Sequence, residues 1–94
     1  MVYIDTPTKT SKGVFSHLIA DSILELHIFA GRNDIHRAWF NNKRGKNEPH
    51  YDVKGEDYQR LVDDGAKPIS NVDLFRKVHQ IYGGKQTKVF GNKH

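Results

Sequence analysis

A chain of 94 residues with no cysteine fits a single domain and excludes disulfide bridges and thiolate metal sites. Hydrophobic residues at 36% and aromatics at 11% supply a core, but no apolar run nears the ~20 residues of a membrane span, and the first residues lack the basic-then-apolar pattern of a secretory signal. The net charge of +4, with six histidines counted as neutral, favours anionic partners (phosphorylated small molecules, nucleic acid or an acidic protein), and the absence of cysteine suits a reducing cytoplasm.

In chain order, Val2–Thr6 alternates apolar and polar β-formers and predicts a strand. Pro7–Gly13 is a polar loop, and Val14–Ala20 is a second strand or an approach to a helix. Asp21 and Ser22 both suit an N-cap, and Ser22 with Glu25 fits a capping box. The helix that follows runs to about Ala30 and stops at Gly31. Ile23, Leu24, Leu26, Ile28 and Phe29 occupy most of its circumference, which predicts a buried central element. Ile35–Phe40 is short and aromatic, so a strand is expected there, followed by a loop over Asn41–Pro49. Tyr58, Leu61 and Val62 give a second helix over about Lys54–Asp64, with Gly65 as its stop and Asp52 just before it. Ala66–Ser70 allows a short edge strand, because Pro68 has no N–H for a ladder. A third helix opens at Ser70, with Val72, Phe75, Val78 or His79, and Tyr82 on one face, and ends at Gly83 and Gly84.

This order predicts one small α/β domain over residues 1–84, with a short, mostly parallel sheet packed by about three helices, and a basic tail over residues 85–94. A domain this small buries a modest share of its surface, so a homo-oligomer is also expected. In parallel sheets ligands sit off the carboxyl ends of strands, where Asp5, Asp21 and the loop after Phe40 would fall.

Several short stretches carry a resemblance: "VYID", "SHLIAD", "ELHIFA", "RAWF", "HYD" and "GAKPIS", in this order along the chain. In these the chain resembles the bacterial and phage family catalogued as domain of unknown function 4031, over roughly Val2 to Leu74. The resemblance implies an uncharacterised domain. It singles out Asp5, His17, Asp21, His27, Arg37, Trp39, Phe40, His50, Tyr51 and Asp52 without assigning a mechanism. No Walker loop, dinucleotide fingerprint, His-Glu-x-x-His or Gly-x-Ser-x-Gly motif is present.

The polar set Asp5, His17, Asp21, His50 and Asp52 combines imidazoles with carboxylates. Such groups bind a metal, run acid–base chemistry near neutral pH, or form a fixed hydrogen-bond lattice. No spacing sets two ligands at a known local geometry, so neither a metal nor another cofactor is expected. Asp21 and Asp52 are also explained as helix starts, and His27 as a hydrogen-bonded histidine within an apolar helix. His17 lies in the apolar run "FSHLIA", where a polar group must be satisfied, and His50 follows a proline. With Asp52 they are the candidate catalytic residues. Arg37 and Trp39, alternating on the expected strand, suit a phosphate and a stacked base, unless Trp39 packs in the core beneath Arg37. Tyr51 offers a second stacking face. Lys43 and Arg44, beside Gly45, suit an anion or a solvated loop equally.

The expected ligand site therefore comprises His17, Arg37, Trp39, Lys43, Arg44, His50 and Tyr51. It would take a small anionic ligand, a nucleotide or nucleotide-like signal, as a phage-type sequestering protein would. Two other functions remain: a histidine-dependent phosphoesterase acting on a nucleotide, and nucleic-acid binding through the basic loop and tail.

Overall fold

The computed structural model describes residues 1–42 and 48–83. Its central sheet has the order β4-β5-β3-β1-β6, with β2 paired to β3 off this path. The strands are β1 (Val2–Asp5), β2 (Thr8–Thr10), β3 (Gly13–Ala20), β4 (Phe40–Asn41), β5 (His50–Lys54) and β6 (Lys67–Ile69). Among the described residues only β1 and β6 pair in parallel; the other pairings are antiparallel. The expectation of a mostly parallel sheet is thus corrected to a mixed, mostly antiparallel one. The stretch Pro7–Gly13 is a hairpin arm and not a loop, so β1 and β3 lie side by side with no helical crossover between them.

Three helices pack on the two faces of the sheet: α1 (Ile23–Arg32), α2 (Tyr58–Asp63) and α3 (Asn71–Val78). Strand alternation divides the side chains between the faces. Val2, Ile4, Leu18, Ala20, Tyr51 and Val53 point to one face and form a core with Leu26, Phe29, Ala30 and Leu61 of α1 and α2. Tyr3 and Ile19 point to the other, where Leu74 and Val78 of α3 and then Tyr82 cover them. The burying stripe of α3 is therefore Leu74, Val78 and Tyr82. Val72 and Phe75, expected inside, are 58% and 60% exposed. A π-helical turn over His79–Gly83 continues the helix, and the Tyr82 hydroxyl donates to the Ala20 carbonyl at 2.8 Å.

Local sequence accounts for the helix ends. Ser22 caps α1, its hydroxyl accepting from the Glu25 N–H at 3.1 Å. The Glu25 carboxylate does not close the capping box; it meets the Met1 amino group at 2.6 Å. Asn33 caps the other end, donating to the Phe29 carbonyl at 3.0 Å and to Asp64 at 2.8 Å, which ties α1 to the end of α2. Burial of α1 is one-sided: Leu24 is 70% and Ile28 57% exposed, against the expectation of a helix buried all round. Ser70 caps α3 by accepting from the Asp73 N–H at 3.0 Å. The edge position of β6 agrees with the constraint set by Pro68. Ile35–Phe40 is not the expected strand: Arg37–Trp39 is a 3-10 turn, and only Phe40 and Asn41 pair with β5.

Candidate functional site

The face that carries Tyr3 and Ile19 continues past the edge of α3, and there alternation brings polar residues together. In the register of β3 and β5, His17 stands opposite Asp52. His50 lies two residues before Asp52 and so shares its face. Asp5, at the end of β1, comes to His17 from the other side. Its buried carboxylate accepts the His17 backbone N–H at 2.6 Å and lies 2.9 Å from ring Nδ1. Because Asp5 can only accept there, His17 carries its ring proton on Nδ1 and turns Nε2 toward Asp52 Oδ1, 3.7 Å away. His50 is held the same way. Its Nδ1 donates to the Glu48 carbonyl at 2.7 Å, and its Nε2 lies 3.4 Å from the same Asp52 oxygen. The two imidazoles meet edge to face at 5.4 Å between ring centres.

Electrostatics follow from these contacts. Burial would raise the Asp5 carboxyl, but hydrogen bonds from the His17 ring and backbone and from Asn71 outweigh it and hold the group below its ordinary value. The bond to Asp5 raises His17, against the opposing effect of its own burial. The neighbouring His50 imidazole lowers Asp52, and burial opposes it. Both carboxylates are therefore ionised at neutral pH.

Above this floor lies a cleft of about 660 Å³. Phe15, Ile19 and Trp39 line it from the sheet side, Leu74, Phe75 and Val78 from α3, and Thr8, Thr10 and Lys12 from the β2–β3 hairpin. Phe15 and Trp39 stand 6.0 Å apart, centre to centre. Phe40 faces Tyr51 in the core at 5.3 Å, Trp39 at the end of the 3-10 turn lines the cleft, and Asn41, next along β4, donates to Asp52 at 3.4 Å.

Of the residues expected at a ligand site, the structure brings His17, Trp39, His50 and Asp52 together. Asp52 does not start α2; it is mid-strand in β5. Tyr51 is directed to the opposite face by the same alternation. It is buried there, with its hydroxyl 2.7 Å from His27 Nδ1. Arg37 does not line the cleft, because it sits on a 3-10 turn where it no longer shares a side with Trp39; its charge acts on His27 and Tyr51. Asp21 is exposed at the start of α1, 3.2 Å from the Met1 amino group. Lys43, Arg44 and the basic tail lie outside the described residues. Sequence reasoning missed Phe15, Asn41, Glu48 and Phe75 as site residues. The alternation Phe15, His17, Ile19 within one strand was the available signal for Phe15. Nothing local marks Glu48, whose carbonyl orients His50 and whose carboxylate meets His79 at 2.8 Å.

No helix among the described residues is long and apolar enough to cross a membrane. No curated protein and no solved structure matches the chain. The model of the family described as "Protein of unknown function (DUF4031)" matches residues 2–81 of the 94, and the chain belongs to that family.

Proposed function

We propose that the cleft binds and hydrolyses a small phosphoester that carries a flat ring, a nucleotide or nucleotide-like molecule. The observation behind this is the pair of imidazoles, each oriented through Nδ1, that converge through Nε2 on one carboxylate oxygen beneath aromatic walls. Phe15, Trp39 and Phe75 offer faces to a ring, where stacking contributes about 1–3 kcal/mol per base. The reacting group then rests over His17, His50 and Asp52. In the reaction water adds to phosphorus, the P–O bond to the leaving oxygen breaks, and the proton released from water ends on that oxygen.

Simple retention of the ligand, the sequestering role, draws on the aromatic walls but leaves the floor without a purpose. The floor also opposes a bare anion. Two ionised carboxylates stand there, and Lys12 is the one lysine or arginine among the described lining residues. A phosphate 4 Å from a carboxylate is repelled by about 4 kcal/mol at an effective dielectric of about 20. A phosphoester is therefore accommodated over Asp52 only with a cation between them.

The test is turnover of a panel of linear and cyclic nucleotides and aryl phosphates, with Mg²⁺, Mn²⁺ or Zn²⁺ supplied. At least one class should be hydrolysed, and His50→Ala should reduce the rate by about 100-fold or more while the circular dichroism spectrum persists. Binding without turnover would leave retention alone. Neither binding nor turnover, with folded protein, would remove the cleft as a ligand site.

A further inference from the structure

With both rings neutral and protonated on Nδ1, the floor of the cleft presents three electron-pair donors to one another. His17 Nε2 and His50 Nε2 face Asp52 Oδ1 at 3.7 and 3.4 Å. In the neutral rings both protons are on Nδ1, held by the Asp5 carboxylate and the Glu48 carbonyl. The facing atoms are then all acceptors, and their separations exceed the 2.7–3.2 Å of an N–H···O bond. Such an arrangement is repulsive unless a proton on one Nε2 or a cation lies between the three atoms, and the separations leave room for an ion.

We infer that His17, His50 and Asp52 hold one divalent transition-metal ion of the zinc type, with an open coordination position that faces the cleft. Ligand atoms about 2.0–2.1 Å from a tetrahedral ion lie about 3.3–3.4 Å from each other. One donor atom from each of the three residues lies within 4.8 Å of the other two. The His17 side chain is 48% exposed, so its ring has room to close the remaining distance. Three protein ligands with a free position is the pattern of a catalytic metal site, whereas structural sites take four.

The surrounding contacts are those a ligated histidine requires. A metal-bound imidazole donates its other N–H to a carboxylate or a carbonyl, which fixes its tautomer and plane. Asp5 does this for His17 and the Glu48 carbonyl does it for His50. Asp5 is 2% exposed, so a charge is kept in the interior where a neutral side chain would cost less, and orienting His17 gives it a purpose. The donor spacing is short on β5 and remote on β3, which explains why the sequence shows no metal motif. His50 and Asp52 share a face at i, i+2, and the third ligand arrives by sheet register.

The ion deepens the hydrolytic proposal and, for its substrate, rests on it: it would carry the attacking water and screen Asp52 from a phosphate. The metal site itself rests on geometry alone, so the two can fail separately. Chelator-treated protein would be titrated with Co²⁺ and Zn²⁺, following Co²⁺ visible absorption, calorimetric heat and bound metal per chain. One ion per chain is expected, with visible bands of a four- or five-coordinate site. Asp5→Asn should weaken binding by about 10–100-fold, and the near-isosteric Asp52→Asn by more. His36→Gln, at an exposed position away from the cleft, should leave binding unchanged. Binding that is absent from folded protein, or that survives Asp52→Asn and His50→Ala unaltered, overturns the metal site. Turnover that chelators do not affect also overturns it while leaving hydrolysis in place. Binding of the metal with no turnover sustains the site and overturns hydrolysis.

Discussion

Replacement of Asp5 tests how firmly the site is anchored, and its effect can be worked from its two bonds to His17. The carboxylate is buried and accepts two bonds from His17, one from the backbone N–H and one from the ring. Hydrogen bonds to a charged group contribute about 1.5–3 kcal/mol each, and an orphaned buried donor costs about 1–3 kcal/mol. In Asp5→Asn the amide oxygen still accepts one of the two bonds, and the interior is relieved of a charge, so the net loss should be about 1–2 kcal/mol. In Asp5→Ala both bonds go. The half-exposed His17 ring can turn to water, but its backbone N–H, just beyond the last β1–β3 pair, loses the acceptor it has. The loss should then be about 3 kcal/mol, toward the lower end of what breaking a buried pair costs. For a domain of this size 1 kcal/mol moves Tm by about 4–8 °C. Urea unfolding of metal-free protein, followed by circular dichroism, should show midpoints in the order wild type, Asp5→Asn, Asp5→Ala with unchanged slopes. A difference below about 0.5 kcal/mol for Asp5→Ala would refute the assignment of Asp5 as the anchor of His17.

Other expectations concern the opposite face, the walls and a turn. Burial and, secondarily, the Arg37 charge lower the pKa of His27, which also meets Tyr51 and Phe40. The folded protein therefore binds this proton less readily than the unfolded chain, so the contribution to stability is complete above about pH 6.5 and declines as pH falls toward the lower folded value. His27→Gln should flatten that part of the stability–pH curve; an unchanged slope would count against it. Trp39→Ala should weaken ligand binding by about 1–3 kcal/mol in calorimetry, with a small effect on stability, because the ring is 42% exposed. Gly65 follows α2 at φ +114°, a conformation that side chains with a Cβ disfavour, so Gly65→Ala should lower the unfolding free energy by about 1 kcal/mol or more. Equal stability of the two proteins would contradict it.

Much of the architecture was legible because its signals are local. The caps at Ser22 and Ser70, the strands at Val2 and Val14, and the edge position forced by Pro68 each depend on a few neighbouring residues. Features that depend on what lies opposite were not legible. Leu24 and Ile28 are as apolar as Leu26, and only the position of the sheet decides which of them is buried. Val72 and Phe75 lost the core face of α3 to Leu74 because the helix is rotated to put Leu74, Val78 and Tyr82 over Tyr3 and Ile19. The aromatic run before Asn41 has strand propensity, yet most of it has no partner strand and coils into a 3-10 turn.

The candidate site divides in the same way. Sequence alone determined that His17, inside an apolar strand, needed a polar partner, and that His50, Tyr51 and Asp52 follow a proline as candidate site residues. Tertiary structure alone decided which of them meet. A strand sends neighbouring side chains to opposite faces, so Tyr51 went to the core with His27 while His50 and Asp52 turned to the cleft. The antiparallel register set His17 against Asp52, and the end of β1 delivered Asp5 to its other side. A pairing shifted by one residue would leave every local signal intact and scatter the site, because register is a long-range property that no short stretch of chain encodes.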